Sequence, residues 1–249
     1  LWEVQCLQFI TLKEKYNIEE IAGKGSDFNR AKRLLHYFAP RLTHLPWYDN
    51  HIPCNSLDLL DYSLNNPEHG INCVNKAKIF EECCLAIGIY ARRVFLMPYS
   101  PFDFDNHVVT EIYDKKMKKW IMLDPSTDGL FIDENKTPLS VVEIREKFAN
   151  NDFVTFVLST DKLKDLIKLK EKNIELNAYF CKNLFYFFVN SISSFGVSEG
   201  FLVFVPVNFS VKEKLIGNTK FRIKNLPKEQ LGMKKELEDI LEKQKQSEE

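Results

Sequence analysis

No two of the six cysteines form a CxxC pair, and none of the five histidines sits in an HExxH run. The spacings that announce a structural zinc site or a zinc peptidase are therefore missing. Excess charge of one sign is missing too. The net charge is -1, so no global field draws the chain to nucleic acid or to an anionic membrane. The cluster Lys115, Lys116, Lys118 and Lys119 surrounds one turn and reads as a solvated hairpin tip. Long apolar runs are absent. The richest region, residues 178–209, is interrupted by Lys182, Asn183, Asn190, Glu199 and several serines, which excludes a bilayer-spanning helix. The first residues lack the layout of a signal peptide, although the chain does not open on Met. Six cysteines without tight spacing point to a reducing compartment, so a cytoplasmic location is expected. Repeats and linkers are also lacking.

What is present is a chain of 249 residues, 45% apolar, long enough to bury a large core. We expect one domain over residues 1–249. Helices lead: residues 1–16, then 26–42 with Ser26 or Asp27 as N-cap and Pro40 closing it, then 55–65 capped by Asn55 or Ser56. A helix over 73–87 ends at Gly88. The texture then becomes β-branched and aromatic. IYARRVFLMP, HVVTEIYD and KWIMLD read as strands joined by turns. A helix follows in LSVVEIREKFAN, then two more in residues 161–173 and 174–192. FLVFVPVNF and TKFRIKNL read as late strands, and a charged amphipathic tail from Pro227 reads as a fraying helix. Helices followed by clustered strands indicate an α+β fold with an antiparallel sheet.

Three cysteines fall on the helix over 73–87. Cys73 and Cys84 share a face but lie about 16 Å apart along the axis, too far for a disulfide. Val74, Ala77, Phe80, Cys84 and Ile87 form a core-facing stripe, so Cys84 reads as a small buried hydrophobe. Cys83 faces a quarter-turn away and carries no signal. Cys73 differs because it opens the helix behind Asn72. There the unpaired amides and the positive end of the helix dipole favour a thiolate and can hold an oxyanion. On its own, a cysteine at a helix start is more often inert.

The segment HVVTEIYDKKMKKWIMLD reads as a hairpin turning at Lys115 and Lys116. In the two-residue-turn register, Glu111 faces Trp120, Val109 faces Met122, and His107 lies directly opposite Asp124 on one sheet face. Lys-Lys is a poor type I′ turn, so a longer even-numbered loop with the same pairing fits equally. Taken alone, His107 is a strand-start histidine and Asp124 an Asp-Pro turn. With Cys73 they supply the cysteine, histidine and acid of a thiol acyl-transfer site.

Cys73, Ala77 and Phe80, then IGIYARRV, DNHVVTEIYD and KWIMLDPST, resemble the transglutaminase-like superfamily, which shares the papain-like core. The resemblance covers roughly residues 27–150 and runs closest to a bacterial branch whose C-terminal part, here 151–249, brings no function with it. It implies the nucleophile helix packed on an antiparallel sheet, with helical additions at both ends. It also implies Cys73 as nucleophile, His107 as general base and acid, and Asp124 as orienting carboxylate. The Cys73 amide would be one oxyanion donor, and an upstream side chain the second: Trp47 first, with Asn50 and His51 as alternatives. His69 could compete as base but reads as an exposed loop residue. Gly70 stands three residues before the cysteine, where the superfamily has glycine two before it, so the approach to the nucleophile differs.

Three classes stay open. One is an enzyme (protease, amidase or protein-glutamine acyltransferase) acting on a peptide or protein amide, without cofactor or metal. Another is a binding module that has kept the fold and lost turnover. The last is a metal site on Cys73, His107 and Asp124, disfavoured by the missing companion spacings. Oligomeric state is not set by the sequence.

Overall fold

Short polar caps set the helix starts. The computed structural model describes residues 7–152, 154–159, 166–226 and 233–246. Cys6 and the opening of the expected first helix lie outside these residues. Helices α1 (Leu7–Lys15) and α2 (Ile18–Ala22) lead into α3 (Asp27–Phe38), α4 (Ser56–Asn65) and α5 (Cys73–Ala86). Ser26, Asn55 and Asn72 cap the last three, each accepting a backbone N–H three residues on. Later, Ser140 and Glu143 form a reciprocal capping box on α6 (Val141–Ala149).

The strands are β1 (Ala91–Met97), β2 (His107–Asp114), β3 (Lys119–Leu123), β4 (Gly129–Ile132) and β5 (Thr155–Leu158). After α7 (Leu166–Asn183) come β6 (Tyr186–Ser194) and β7 (Val197–Phe204), then α8 (Val211–Lys224) and α9 (Lys234–Gln246). The main sheet has the order β3-β2-β1-β6-β7 and is antiparallel throughout, while β4 and β5 form a separate antiparallel pair. The architecture is therefore α+β with an antiparallel sheet.

Two C-terminal expectations are corrected. Residues 174–192 are not one helix. The helical part ends at Asn183, and the aromatic stretch after it crosses to the free side of β1, where Val94 to Met97 pair with Tyr186 to Val189. Residues 166–183 are one continuous helix rather than parts of two, and residues 161–165 lie outside the described part. TKFRIKNL is not a strand. Its alternating pattern is overridden by Ser210, which caps α8, and α8 packs along α9. The tail expected from Pro227 is helical over Lys234–Gln246.

Helix α5 is the centre of the molecule. The expected stripe widens into burial on all sides: α1, α3 and α4 pack on one side, β1 and β2 on the other. Cys83 and Cys84 are both buried free thiols, and burial pushes both thiols up, well away from ionisation at neutral pH. Charged residues on the same helix are buried with partners. Lys78 Nζ lies 2.9 Å from Glu82 and 3.4 Å from Glu81, and donates to the Ser194 carbonyl at 3.0 Å. Glu81 also pairs with Arg93 of β1. Lys76 Nζ donates to the carbonyls of Leu42 (2.9 Å) and Ala39 (3.2 Å).

Carboxylates also lock helix N-termini onto the body. Asp114 accepts from the Phe28 amide, Glu82 from Ser56 and Glu111 from Val141, at 2.7–2.8 Å. Each places negative charge at the positive end of a helix dipole.

Candidate active site

Cys73 is half-buried at the first position of α5. The Asn72 side chain accepts the Asn75 amide and is itself tethered, its Nδ2 donating to Asn50 Oδ1 at 3.1 Å. The amides of Cys73 and Val74 belong to the first turn, where a helix supplies no internal acceptor, so they are open to a ligand atom beside the sulfur.

Gly70 builds one wall. A Cβ there would sit 2.4 Å from the Leu45 Cβ and 3.0 Å from its amide nitrogen. Without one, segment 43–45 runs beside 70–71, linked by Leu45 N–H to the Ile71 carbonyl and Ile71 N–H to the Thr43 carbonyl, both 3.0 Å. This parallel contact carries His44, Pro46 and Trp47 to the rim next to Cys73. The displaced glycine noted in the sequence is thus a close-approach residue.

His107 and Asp124 meet on one sheet face, but not in the expected register. The β2–β3 turn has four residues, and the pairing is shifted by two, with Glu111 opposite Met122 and Tyr113 opposite Trp120. Asp114 sets that turn, accepting the Met117 amide on its side chain and the Lys118 amide on its carbonyl, each at 2.7 Å. Lys118 takes a left-handed conformation to close it. A shift of two keeps every side chain on its face. His107 and Asp124 therefore meet diagonally rather than directly across, with His107 Nε2 and Asp124 Oδ2 3.0 Å apart and both residues buried.

Asp124 stands just past the end of β3 and is held by its own turn. Its side chain accepts the Ser126 amide (2.8 Å) and the Thr127 hydroxyl (2.7 Å). Burial opposes its ionisation, but His107, Thr127 and Ser126 outweigh this and hold the carboxyl below the usual carboxylate range. Burial likewise opposes charge on His107. The Asp124 charge and hydrogen bond, with a contribution from nearby Cys73, outweigh it and hold the imidazole well above the ordinary histidine range. With Nε2 engaged by Asp124, Nδ1 is the ring nitrogen left for a thiol.

Cys73 and His107 line one cleft of about 510 Å³ with His44, Trp47, Phe104 and Tyr179 among its other walls. Three of those residues escaped sequence reasoning, because nothing in the local sequence ties them to Cys73. Tyr179 comes from α7, more than seventy residues beyond His107. Its ring and that of Phe180 press edge-on against the imidazole, with centroids 5.6 and 5.5 Å away. Lys182 clamps the Phe104 loop to the same helix through Asp105 (2.7 Å) and Asp103 (3.0 Å). The His44 imidazole is held below the ordinary range by desolvation and by the nearby charges of Lys76 and His107.

The proposed oxyanion donors separate. Trp47 lines the cleft and is 89% exposed. Asn50 is engaged with Asn72 and the Tyr48 carbonyl, and His51 with Asp49. His69 is exposed beside Glu68 and Tyr62 and does not line the cleft. Among the described residues, no three His, Cys, Asp or Glu side chains group closely enough to hold a metal ion, and no helix is long and apolar enough to cross a membrane.

The sequence model of the transglutaminase-like superfamily matches residues 15–125, which include Cys73, His107 and Asp124 but end before β4. No curated protein and no solved structure matches the chain.

Proposed function

We propose, on the footing that residues 15–125 match the transglutaminase-like superfamily, that the chain is a cysteine-dependent acyl-transfer enzyme or amide hydrolase working through a thioester on Cys73. The observation that carries this reading is the buried 3.0 Å His107–Asp124 pair, whose His107 lines one cleft with Cys73.

The Cys73 sulfur, its proton passed to His107 Nδ1, attacks the carbonyl carbon of a peptide or protein amide. The oxyanion formed is met by the first-turn amides of α5. Trp47 at the rim is the second donor we assign. His107 delivers the proton to the leaving amine, the C–N bond breaks, and a thioester remains. Water or an amine then loses a proton to His107 and attacks the thioester. Collapse of that adduct expels the sulfur, and the proton returns to it. Asp124 keeps the imidazole in the tautomer that leaves Nδ1 toward the sulfur and stabilises its cationic form. Hydrolase and acyltransferase differ only in the second attacker.

The alternative, a binding module on the same fold, draws on one observation: Asn50 and His51 are engaged elsewhere, which leaves only Trp47 of the three second-donor candidates at the cleft. Iodoacetamide labelling separates the two. In the enzyme, Cys73 is the fastest-alkylated thiol near pH 7, His107→Ala slows it severalfold, and the exposed Cys54 and Cys181 keep their rates. A Cys73 rate and pH profile unchanged in folded His107→Ala uncouples the pair and favours the module.

A further inference from the structure

Strand β7 closes one side of the main sheet, and among the described residues no strand lies beside its outer edge. Natural sheets protect such edges with charges, prolines, bulges or a covering element. Here Phe201, Leu202, Val203, Phe204 and Val205 run without a charge and are all 41–63% exposed, and Val207 beyond them is 90% exposed. Neighbours in a strand point to opposite faces, so apolar side chains stand in solvent on both faces of this edge. The interrupting residues lie at the ends of the run: Glu199 and Gly200 before it, Pro206 after it.

Aromatic packing leads up to the edge and stops there. On one face Phe95 of β1 stacks on Phe188 of β6 at 4.6 Å, and Phe188 meets Phe201 of β7 edge-on at 5.2 Å. On the other face Phe187 stacks on Phe204 at 4.7 Å. Each series ends at a ring half open to water.

We propose that β7 pairs with β7 of a second copy of this chain, antiparallel about a two-fold axis, joining two five-stranded sheets into one. Three features select a second copy. The partner must offer an uncharged apolar stretch of strand edge, and residues 201–204 of β7 are such a stretch. Antiparallel pairing of a strand with itself satisfies two-fold symmetry, so one patch serves both sides. The area is also adequate. The exposed portions of the apolar residues in 201–207 amount to roughly 600–700 Å² of side chain per copy, taking about 200 Å² for a large side chain. With the edge backbone added, this approaches the ~800 Å² per partner of a standard stable interface. The cleft holding Cys73 draws none of its lining from β7, so pairing leaves it open.

Sedimentation velocity on the full chain between about 1 and 100 µM tests this. The expected species is a discrete dimer at twice the 29.2 kDa chain mass. Leu202→Lys and Val203→Lys, which place charge on opposite faces of the strand, each weaken it at least ~10-fold while leaving the Cys73 alkylation rate unchanged. Hydrogen exchange on the unaltered protein needs no variant: the β7 amides that face away from β6 are protected at high concentration and exchange on dilution. A monomer throughout the range, a dimer indifferent to both lysines, open-ended polymers, or β7 exchange independent of concentration would each overturn the proposal.

Discussion

Replacing Asp124 with Asn removes one charge from a buried pair while keeping the shape of the turn. At 3.0 Å separation and an effective dielectric of 20, the lost attraction is about 5 kcal/mol. Desolvation of the two groups offsets part of it, and breaking a buried pair by neutralising one partner typically costs about 3–5 kcal/mol. With the Asn oxygen at the Oδ1 position it still accepts from Ser126, and the amide nitrogen at the Oδ2 position can donate to the Thr127 hydroxyl, so we expect the low end, about 3 kcal/mol. The pH dependence is more diagnostic than the size. His107 is raised in the folded state, so its contribution is complete below the unfolded histidine value of about 6.5 and fades as pH climbs toward the folded value. Asp124 is lowered, so its contribution is complete above about 3.9 and lost as pH falls. The stability gap between the parent and Asp124→Asn is therefore widest between about pH 4 and 6.5 and narrows on the alkaline side. Urea melts at a series of pH values read this gap, and histidine NMR reads the cause: His107 titrates above the ordinary range in the parent and markedly lower in the variant, where the Asp124 charge no longer offsets burial. A gap that stays flat from about pH 5 to 9, or a His107 that titrates identically in both proteins, would refute the reasoning.

Two other substitutions test how the site is built. Gly70→Ala forces a Cβ against Leu45 and should cost about 1–3 kcal/mol in denaturant melts. It should also slow Cys73 alkylation, because the wall carrying His44 and Trp47 must shift. Lys78→Met leaves Glu82 in the core without a cation, while Glu81 keeps Arg93, and should cost about 3–5 kcal/mol, with part recovered on adding Glu82→Gln. Full additivity of those two changes would show that the buried charges do not form one network.

The parts of the molecule legible in the sequence are those decided by neighbouring residues. Ser26, Asn55 and Asn72 announced three helix starts because a cap needs only an amide three residues on. The hairpin announced its faces because side-chain parity survives an even-numbered loop. It did not announce its register, which Asp114 fixes by accepting two amides in the turn. What stayed hidden depends on distant contacts. The stretch after Asn183 has the apolar density of a helix core and becomes a strand because β1 has a free side to fill. Residues 219–224 alternate like a strand and are helical because the N-cap at Ser210 and packing on α9 decide them. The walls of the cleft, His44, Phe104 and Tyr179, reach Cys73 through a glycine close approach and the Lys182 clamp, neither of which has a local signature.

The central claim is that Cys73 carries an acyl group. The direct measurement is mass spectrometry of the full chain after exposure to a library of glutamine-containing and other amide peptides, followed by peptide mapping. The account predicts an acyl adduct on Cys73 that hydroxylamine removes and that His107→Ala fails to form. An adduct that forms equally well without His107, one confined to Cys54 or Cys181, or no adduct from any donor while Cys73 remains accessible to iodoacetamide would contradict it.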